Sequence, residues 1–457
     1  MSDTIAAVAT GAGISAIGII RLSGDTAIET VARVFKPCGK ASVSSLPDRR
    51  LVLGDLLDEG GRVIDSCLCT VSRAPNTYTG EDTAELQCHG SPTVLSAGLL
   101  SLFAAGARQA GPGEFTKRAF LNGRMDLTQA EAVVDIIDAE TVEAAVNAVG
   151  QLSGTVSRRT DAVYDALSGV CAHFHALIDY PDDEIEEFDT SECIKTLRAG
   201  EKDLDALLST FSRGRFMREG VPTAIIGRPN VGKSSLLNAL LGYERAIVTD
   251  IPGTTRDTVE EKCRVGKTLL RLIDTAGLRE TEDTVEKIGV ERTRAALEGA
   301  ELVITVTEAG RELTPEDIEV LRAAEGSGKK WIAVRNKADI TGENADADIP
   351  GIKAPAQALV SAKTGEGLDA LADMIDGMFE GSPVPVGEIL TNARQADAVS
   401  RALSSVREAA FAAEAGVTPD AVLTDAEDAM RALGELTGRS VRNDVVSGIF
   451  SRFCVGK

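Results

Sequence analysis

A glycine-rich turn held between an apolar run and a helix start leaves a chain few choices of fold. Residues 224–235 read AIIGRPNVGKSS and continue LLNALL. Gly227, Gly232, Lys233 and Ser234 fit the spacing GxxxxGK[ST], in which bare backbone N–H groups and a helix N-terminus surround phosphate oxygens. Such a loop needs a buried strand before it and a helix after it. It therefore predicts a doubly wound α/β sheet with the phosphate site at the strand C-terminal ends. Lys233 is the candidate for the β- and γ-phosphates and Ser234 for Mg²⁺, with Asn230, Val231 and Ser235 completing the loop.

Later motifs identify the nucleotide. LLRLIDTAG places Asp274, Thr275, Ala276 and Gly277 at the end of an apolar run, suited to a water-held Mg²⁺ and an amide that senses γ-phosphate. WIAVRNKAD closes another strand with Asn336, Lys337 and Asp339. The Asp339 carboxylate can accept the guanine N1–H and the exocyclic amine together, an arrangement adenine does not offer. Ser361, Ala362 and Lys363 are expected behind the base, so the nucleotide is GTP. Between the phosphate loop and Asp274 the run Thr249, Asp250, Ile251, Pro252, Gly253, Thr254, Thr255 offers a switch threonine, Thr255 or its neighbour Thr254. Leu278 stands where many GTPases carry a glutamine that orients the attacking water. Hydrolysis then needs a carboxylate from the stretch Glu280 to Glu286. It also needs a positive charge from Arg256, Arg279, Lys287 or a monovalent cation, for which Asn230 is an oxygen ligand beside the phosphates.

Around this segment, 457 residues leave room for two to four domains. A net charge of −22 disfavours a bare polyanion-binding surface, so a nucleic acid must be met by a local patch or by another subunit. Eight cysteines without a CxxC pair, a start without a signal-like apolar core and no long apolar window imply a reduced, cytoplasmic protein without a membrane span.

Residues 1–121 alternate as strands with two helical runs, an α+β domain. Cys67 and Cys69 share a strand face and read as core rather than as metal ligands. His89 reads as a locally hydrogen-bonded histidine rather than an acid–base group. Glu85, inside an apolar strand, either points to solvent or holds the N–H groups of a ligand. Residues 122–219 form a helical arm that opens with a capping box, Thr128 to Glu131, and contains the acidic stretch DYPDDEIEEFDTSE, read as a solvated segment rather than a dock for a basic partner. Residues 220–381 are the nucleotide-binding segment. Helical spacing returns over 382–457, predicted to pack on the first arm with the nucleotide domain inserted between them. The terminal FCVGK, with Cys454, is expected to be disordered.

The chain resembles the MnmE (TrmE) family of bacterial and organellar tRNA-modification GTPases over its whole length. The likeness rests on DTIAAVAT with GIIRLSG, YTGEDTAELQCHG, GEFTKRAFLNGRMDLTQAEAV, GRPNVGKSSLLNALL, TDIPGTTRD, DTAGLRE, NKAD and FCVGK. It implies a multidomain α/β protein: an N-terminal folate-binding, dimerisation-type α+β domain, a discontinuous all-α domain and an inserted Ras-like G domain. It further implies a homodimer whose G domains pair on binding GTP. A flavoprotein partner, MnmG, carries FAD and completes a heterotetramer. The chemistry implied is an aminomethyl-type or 5-(carboxymethyl)aminomethyl modification of wobble uridine in tRNA, with the carbon from 5-formyl- or 5,10-methylene-tetrahydrofolate.

By the same resemblance, folate contacts fall on Arg21, Glu85, Arg124 and Lys457. K⁺ ligands fall on Asn230, Thr249, Ile251 and Thr254, Mg²⁺ ligands on Ser234 and Thr255, and the water-orienting role on Glu286. Two departures bear on folate contact: GAGISA from Gly11 to Ala16 replaces the family's PPGRGG, and Arg124 stands where Lys is common. The G domain alone would equally suit a ribosome-assembly or signalling GTPase, and it is the N-terminal segment and the tail that separate the two readings.

Overall fold

The computed structural model describes residues 2–40, 42–179, 190–243, 261–273, 296–341, 352, 354–381, 384–440, 443–451 and 453–456. They form two compact units, one of residues 1–134 with 430–457 and the other of residues 135–429.

The first unit begins with β1 (Ile5–Val8), β2 (Ser15–Ser23), α1 (Ala27–Val34), β3 (Phe35–Pro37), β4 (Val52–Leu57), β5 (Val63–Ser72) and β6 (Thr83–Gly90). It continues through α2 (Pro92–Ala104), β7 (Arg108–Gln109), α3 (Glu114–Leu121) and the start of α4 (Leu127–Ile137). The seven strands lie in the order β3-β4-β5-β6-β2-β1-β7. Alternation along them sends Ile20, Leu22, Leu56, Val71 and Leu86 into one core with Ile28, Val31 and Leu102 from α1 and α2. Cys67 and Cys69 are buried in that core. Burial pushes the Cys69 thiol up to about 12. The Cys67 thiol rises too, first through its hydrogen bond with Cys88 and then through burial.

The first turn of α4 is capped by other residues than the sequence spacing predicts. Asp126 Oδ1 accepts from the Gln129 backbone N–H at 2.9 Å and from Thr128 Oγ1 at 2.6 Å, while Gln129 Oε1 accepts from the Asp126 N–H at 2.9 Å. The box is therefore Asp126 with Gln129, not Thr128 with Glu131. Thr128 already lies within the first turn, and the Asp126 carboxylate is the acceptor one step outside it.

The tail, expected to be disordered, is ordered over its described residues. Phe450 and Phe453 pack with Leu127 and Ala130, their rings 5.1 Å apart, and anchor the segment. Pro112 and Val455 form an antiparallel bridge, and the Gly113 N–H donates to Cys454 O at 3.3 Å. Gly456, at φ +99°, packs so closely on β1 that a Cβ would come within 2.4 Å of Val8 O. Cys454 itself is exposed.

An ion network centres on Arg118, 8 % exposed. Its guanidinium donates to Asp3 Oδ1 at 2.6 Å, Glu81 Oε2 at 3.0 Å and Glu114 Oε1 at 3.1 Å. Burial alone would raise the Glu114 carboxyl, but hydrogen bonds from Arg108, the Gly111 N–H and Arg118 outweigh it and hold it at about 2.

The second unit holds α5 (Val142–Leu152), α6 (Thr155–Asp179), α7 (Thr190–Ser209), α8 (Phe211–Glu219), β8 (Val221–Ile226), α9 (Lys233–Tyr243), β9 (Glu261–Val265) and β10 (Thr268–Leu272). Then come β11 (Leu302–Glu308), α10 (Pro315–Gly326), β12 (Lys330–Asn336), β13 (Ala356–Leu359), α11 (Leu368–Phe379), α12 (Ala393–Glu414) and the start of α13 (Pro419–Thr437), which from Met430 onward belongs with α14 (Asn443–Phe450) to the first unit. Six strands run β13-β12-β11-β8-β10-β9, parallel except for the β9–β10 hairpin. All six residues of β8 are buried, as a central parallel strand with both faces covered requires.

The helices before and after this sheet pack together. α7 lies along α12, and Arg198 donates to both Glu414 oxygens at 2.9 and 2.7 Å. The segment before α12 is tied to helices α5, α6 and the residue before α8. Leu390 N–H donates to Thr210 Oγ1 at 3.1 Å, Asn147 Nδ2 donates to Ile389 O at 3.1 Å, and Arg159 donates to Glu388 at 2.6 Å.

Glu114 makes a pH prediction for the first unit. Its folded pKa lies below the ordinary 4.5, so its stabilisation is complete above about pH 4.5 and fades as pH falls towards about 2. Glu114→Gln should cost about 1–2 kcal/mol of unfolding free energy at pH 7. In denaturant titrations the gap to the unmodified protein should close as pH falls through that window. A gap that stays constant across it would contradict the assignment.

Candidate nucleotide site

β8 ends at Ile226 and the chain turns at Gly227, where a Cβ would meet Val306 O at 2.4 Å. Asn230 (φ +64°) and Gly232 (φ +97°) hold the left-handed backbone that folds the loop back on itself. A side chain at Gly232 would strike Asn336 Nδ2 at 2.3 Å. Lys233 opens α9, with Ser234 and Ser235 in the first turn. Its ammonium donates to Gly227 O at 2.8 Å and Arg228 O at 2.9 Å, and burial holds its pKa below the usual lysine value.

The residues expected to meet the base come from the ends of β12 and β13. Asn336, 2 % exposed, is the bracket between them and the phosphate loop. Its Nδ2 donates to Val231 O at 3.0 Å, and its Oδ1 accepts from the Lys337 N–H at 2.8 Å and the Ala362 N–H at 3.0 Å. Fully buried Ser361 donates its hydroxyl to Asp339 Oδ1 at 2.7 Å and accepts the Thr364 N–H at 3.2 Å, which fixes the Asp339 carboxylate. Between the two loops lies a cleft of about 730 Å³ lined by Gly232, Ser235, Asn336, Lys337, Asp339 and Lys363. That volume is in the range of small-molecule sites.

Sequence reasoning did not single out Arg228, Glu308 or Asp317, which the fold brings together at the ends of β8 and β11. Arg228 Nε donates to both Asp317 oxygens at 3.1 and 3.2 Å, and its terminal nitrogen reaches Glu308 at 3.4 Å. The one signal was an acidic residue closing the apolar run LVITVTE. Thr249, Asp250, Ile251, Pro252, Gly253, Thr254, Thr255, Arg256, Asp274, Thr275, Ala276, Gly277, Leu278, Arg279, Glu286, Lys287 and Lys457 lie outside the described residues, as does the acidic stretch over 180–189.

In the first unit, Arg21 and Glu85 stand opposite each other on β2 and β6 and pair at 2.8 Å, each about a quarter exposed. Glu85 is thus neither a simply solvated side chain nor one awaiting only a ligand, because a cross-strand guanidinium engages its Oε1. The same guanidinium lies 5.9 Å from the Phe115 ring centroid. Tyr78 meets Thr116 at 2.9 Å from the loop between β5 and β6, and burial raises its phenol. In that loop Gly80 (φ +79°) lies beneath the Arg124 side chain, close enough that a Cβ would sit 3.4 Å from Cγ. Arg21 and Glu85 are thus paired across β2 and β6, and Arg124 lies against the loop between β5 and β6. The Gly11–Ala16 turn is exposed, Ile14 at 92 %. His89, expected to bond locally, lies on β6 and its ring pairs with Asp65 of β5, 24 residues away, at 2.7 Å. Among the described residues no cluster of three or more His, Cys, Asp or Glu is arranged to hold a metal ion.

Two family models match: the MnmE helical domain over residues 127–454 and the GTP-binding protein TrmE N-terminus over residues 4–124. The chain is 43 % identical to the tRNA modification GTPase MnmE of Thermoanaerobacter pseudethanolicus over 460 residues, covering 100 % of this chain and 99 % of the relative. The proteins of that name from Acetivibrio thermocellus and Roseiflexus sp. are 42 % and 43 % identical, over 100 % of this chain and 99 % of theirs. A solved G domain of the FeoB iron transporter of T. maritima covers 35 % of this chain and 98 % of its own at 28 % identity, with a TM-score of 0.25, and the assignment does not rest on it. Identity above two-fifths over the full length, with the two family models matching residues 4–124 and 127–454, places the chain in the MnmE family of tRNA modification GTPases.

Proposed function

We propose that this protein binds and hydrolyses GTP and uses the cycle in modifying the wobble uridine of tRNA. The observation that carries the reading is Asn336, whose one amide ties the phosphate loop to the loop presenting Asp339 across a nucleotide-sized cleft.

In this reading the Lys233 ammonium exchanges the carbonyls of Gly227 and Arg228 for β- and γ-phosphate oxygens, which suits a buried cation already held among acceptors. Asp339, oriented by Ser361, accepts the guanine N1–H and amine. Ser234 and Thr255 would hold Mg²⁺. Asn230 is exposed at a left-handed turn of the loop, and with Thr249, Ile251 and Thr254 it would supply oxygens to K⁺. Bound there, K⁺ supplies the positive charge that GTPases otherwise draw from an arginine. Glu286 orients the attacking water in place of the glutamine that Leu278 replaces. Thr275, Ala276 and Gly277 follow the γ-phosphate.

In the α+β unit, Arg21, Glu85, Arg124 and Lys457 are assigned to a reduced folate that delivers the carbon. Arg21 and Glu85 present a partly exposed donor and acceptor side by side, a set that fits a fused heterocycle with both kinds of group. We further assign residues 1–121 to the folate domain, 122–219 with 382–457 to the helical domain and 220–381 to the G domain. The working assembly is a cytoplasmic homodimer joined by the FAD-bearing MnmG, which with a tRNA completes the reaction.

Cells lacking the protein should lose the aminomethyl-type wobble uridines from total tRNA, read by mass analysis of nucleosides; an unchanged nucleoside profile would sink the proposal. Purified protein should turn over GTP at least about tenfold faster in K⁺ than in Na⁺ at equal ionic strength, and leave ATP essentially untouched. Equal rates in the two salts would remove the cation from the mechanism. Ser361→Ala frees the Asp339 carboxylate and should weaken GTP and GDP binding about tenfold while changing kcat less than about threefold, measured by nucleotide titration and steady-state kinetics.

A further inference from the structure

Glu308 closes β11, whose other six residues are buried Leu302, Val303, Ile304, Thr305, Val306 and Thr307, and it is itself only 7 % exposed. β11 runs between β8 and β12, paired in parallel with both. Its last side chain therefore stands between the phosphate loop that leaves β8 and the guanine-type loop that leaves β12.

The carboxylate reaches both loops. Oε2 accepts from a terminal nitrogen of Arg228, in the phosphate loop, at 3.4 Å, and from Arg311 at 3.3 Å. Oε1 lies 3.4 Å from the Lys337 ammonium, in the guanine-type loop, and 3.3 Å from Arg311 Nε. Arg228 is shared with Asp317, 3 % exposed, whose Oδ2 also accepts from the Thr314 N–H at 3.0 Å and hydroxyl at 2.8 Å at the start of α10. Two buried carboxylates thus hold three cations, two of which come from separate nucleotide loops. Burying such charges costs desolvation, and packed apolar residues would serve stability as well or better. The arrangement gives instead a fixed relation between the loops.

We infer that Glu308 is a positioning residue for the nucleotide, setting the spacing of phosphate loop and base-reading loop by holding Arg228 and Lys337 on one carboxylate. The inference rests on the GTP reading above. Without the charge, each loop keeps its own geometry but their mutual register loosens. Loss then falls on ligands that span both loops, GDP as much as GTP, and not on the hydrolytic step.

The test compares full-length wild type with E308Q, E308D, R228Q, K337Q and the paired variants, by GDP and GTP titration, steady-state kinetics and thermal unfolding. Expected for E308Q is about a tenfold rise in Kd for GDP and GTP and in KM, with kcat within about twofold and the unfolding midpoint little moved; E308D, which keeps the charge, recovers much of the loss. E308Q combined with R228Q or K337Q should bind only marginally worse than the weaker single variant. Should E308Q fail to fold, the R228Q/K337Q pair carries the test: less than multiplicative losses support coupling through the shared carboxylate. Binding by E308Q at the wild-type level, a fall in kcat alone, or fully multiplicative losses would overturn it. A wild type that binds no guanine nucleotide would overturn the GTP reading and this inference together, whereas tight wild-type binding with an indifferent E308Q overturns the inference alone.

Discussion

One side-chain amide holds the nucleotide-binding sheet in working form. Asn336 spends its donor on Val231 O and its acceptor on two N–H groups, so three loops that leave three different strands are fixed to one planar group. A buried amide left with any of these bonds unmade would cost on the order of 1–3 kcal/mol, so the loops have strong reason to keep their places. The glycines follow from it. Gly232 cannot carry a Cβ because the amide occupies that space, and Gly227 cannot because the neighbouring β11 backbone does.

Charge is distributed around this bracket with a consistent logic. Lys233 is held among carbonyls in front, Arg228 and Lys337 are drawn back towards Glu308 and Asp317, and Asp339 is oriented by a serine rather than by a cation. A carboxylate paired with lysine or arginine would compete poorly for a neutral heterocycle. One hydroxyl steers Asp339 without neutralising it. In the α+β unit the Arg118 network does a comparable task for the fold. It gathers Asp3, Glu81 and Glu114 from separate segments and so pins the first residues of the chain to α3.

Much of this was legible in the sequence because it is encoded over a few residues. The phosphate loop, the Asn336–Lys337–Asp339 run and the core placement of Cys67 and Cys69 are read from spacing and strand period. The misreadings share a cause as well. Thr128 with Glu131 satisfied the capping spacing, but so did Asp126 with Gln129, and the helix start decided between them. The tail looked too short and non-periodic to order, because the partners of Phe450 and Phe453 lie more than three hundred residues away, on Leu127 and Ala130. Glu85 was read without its partner because Arg21 is 64 residues distant.

The sequence by itself determined which groups are on offer: a loop with phosphate-binding spacing, a carboxylate of the kind that can accept from guanine, and a leucine, Leu278, where many GTPases carry a glutamine. These are properties of backbone conformation and residue type over short spans, which local sterics and hydrogen bonding impose wherever the segment sits. Only the tertiary structure decided which of these groups act on one another, since the Asn336–Val231 bond closes 105 residues and the Arg228–Glu308 pair 80. Strand order set both. With β11 between β8 and β12, the ends of three parallel strands fall side by side, and sheet pairing across large loops is a global balance of burial and chain entropy that no local pattern records.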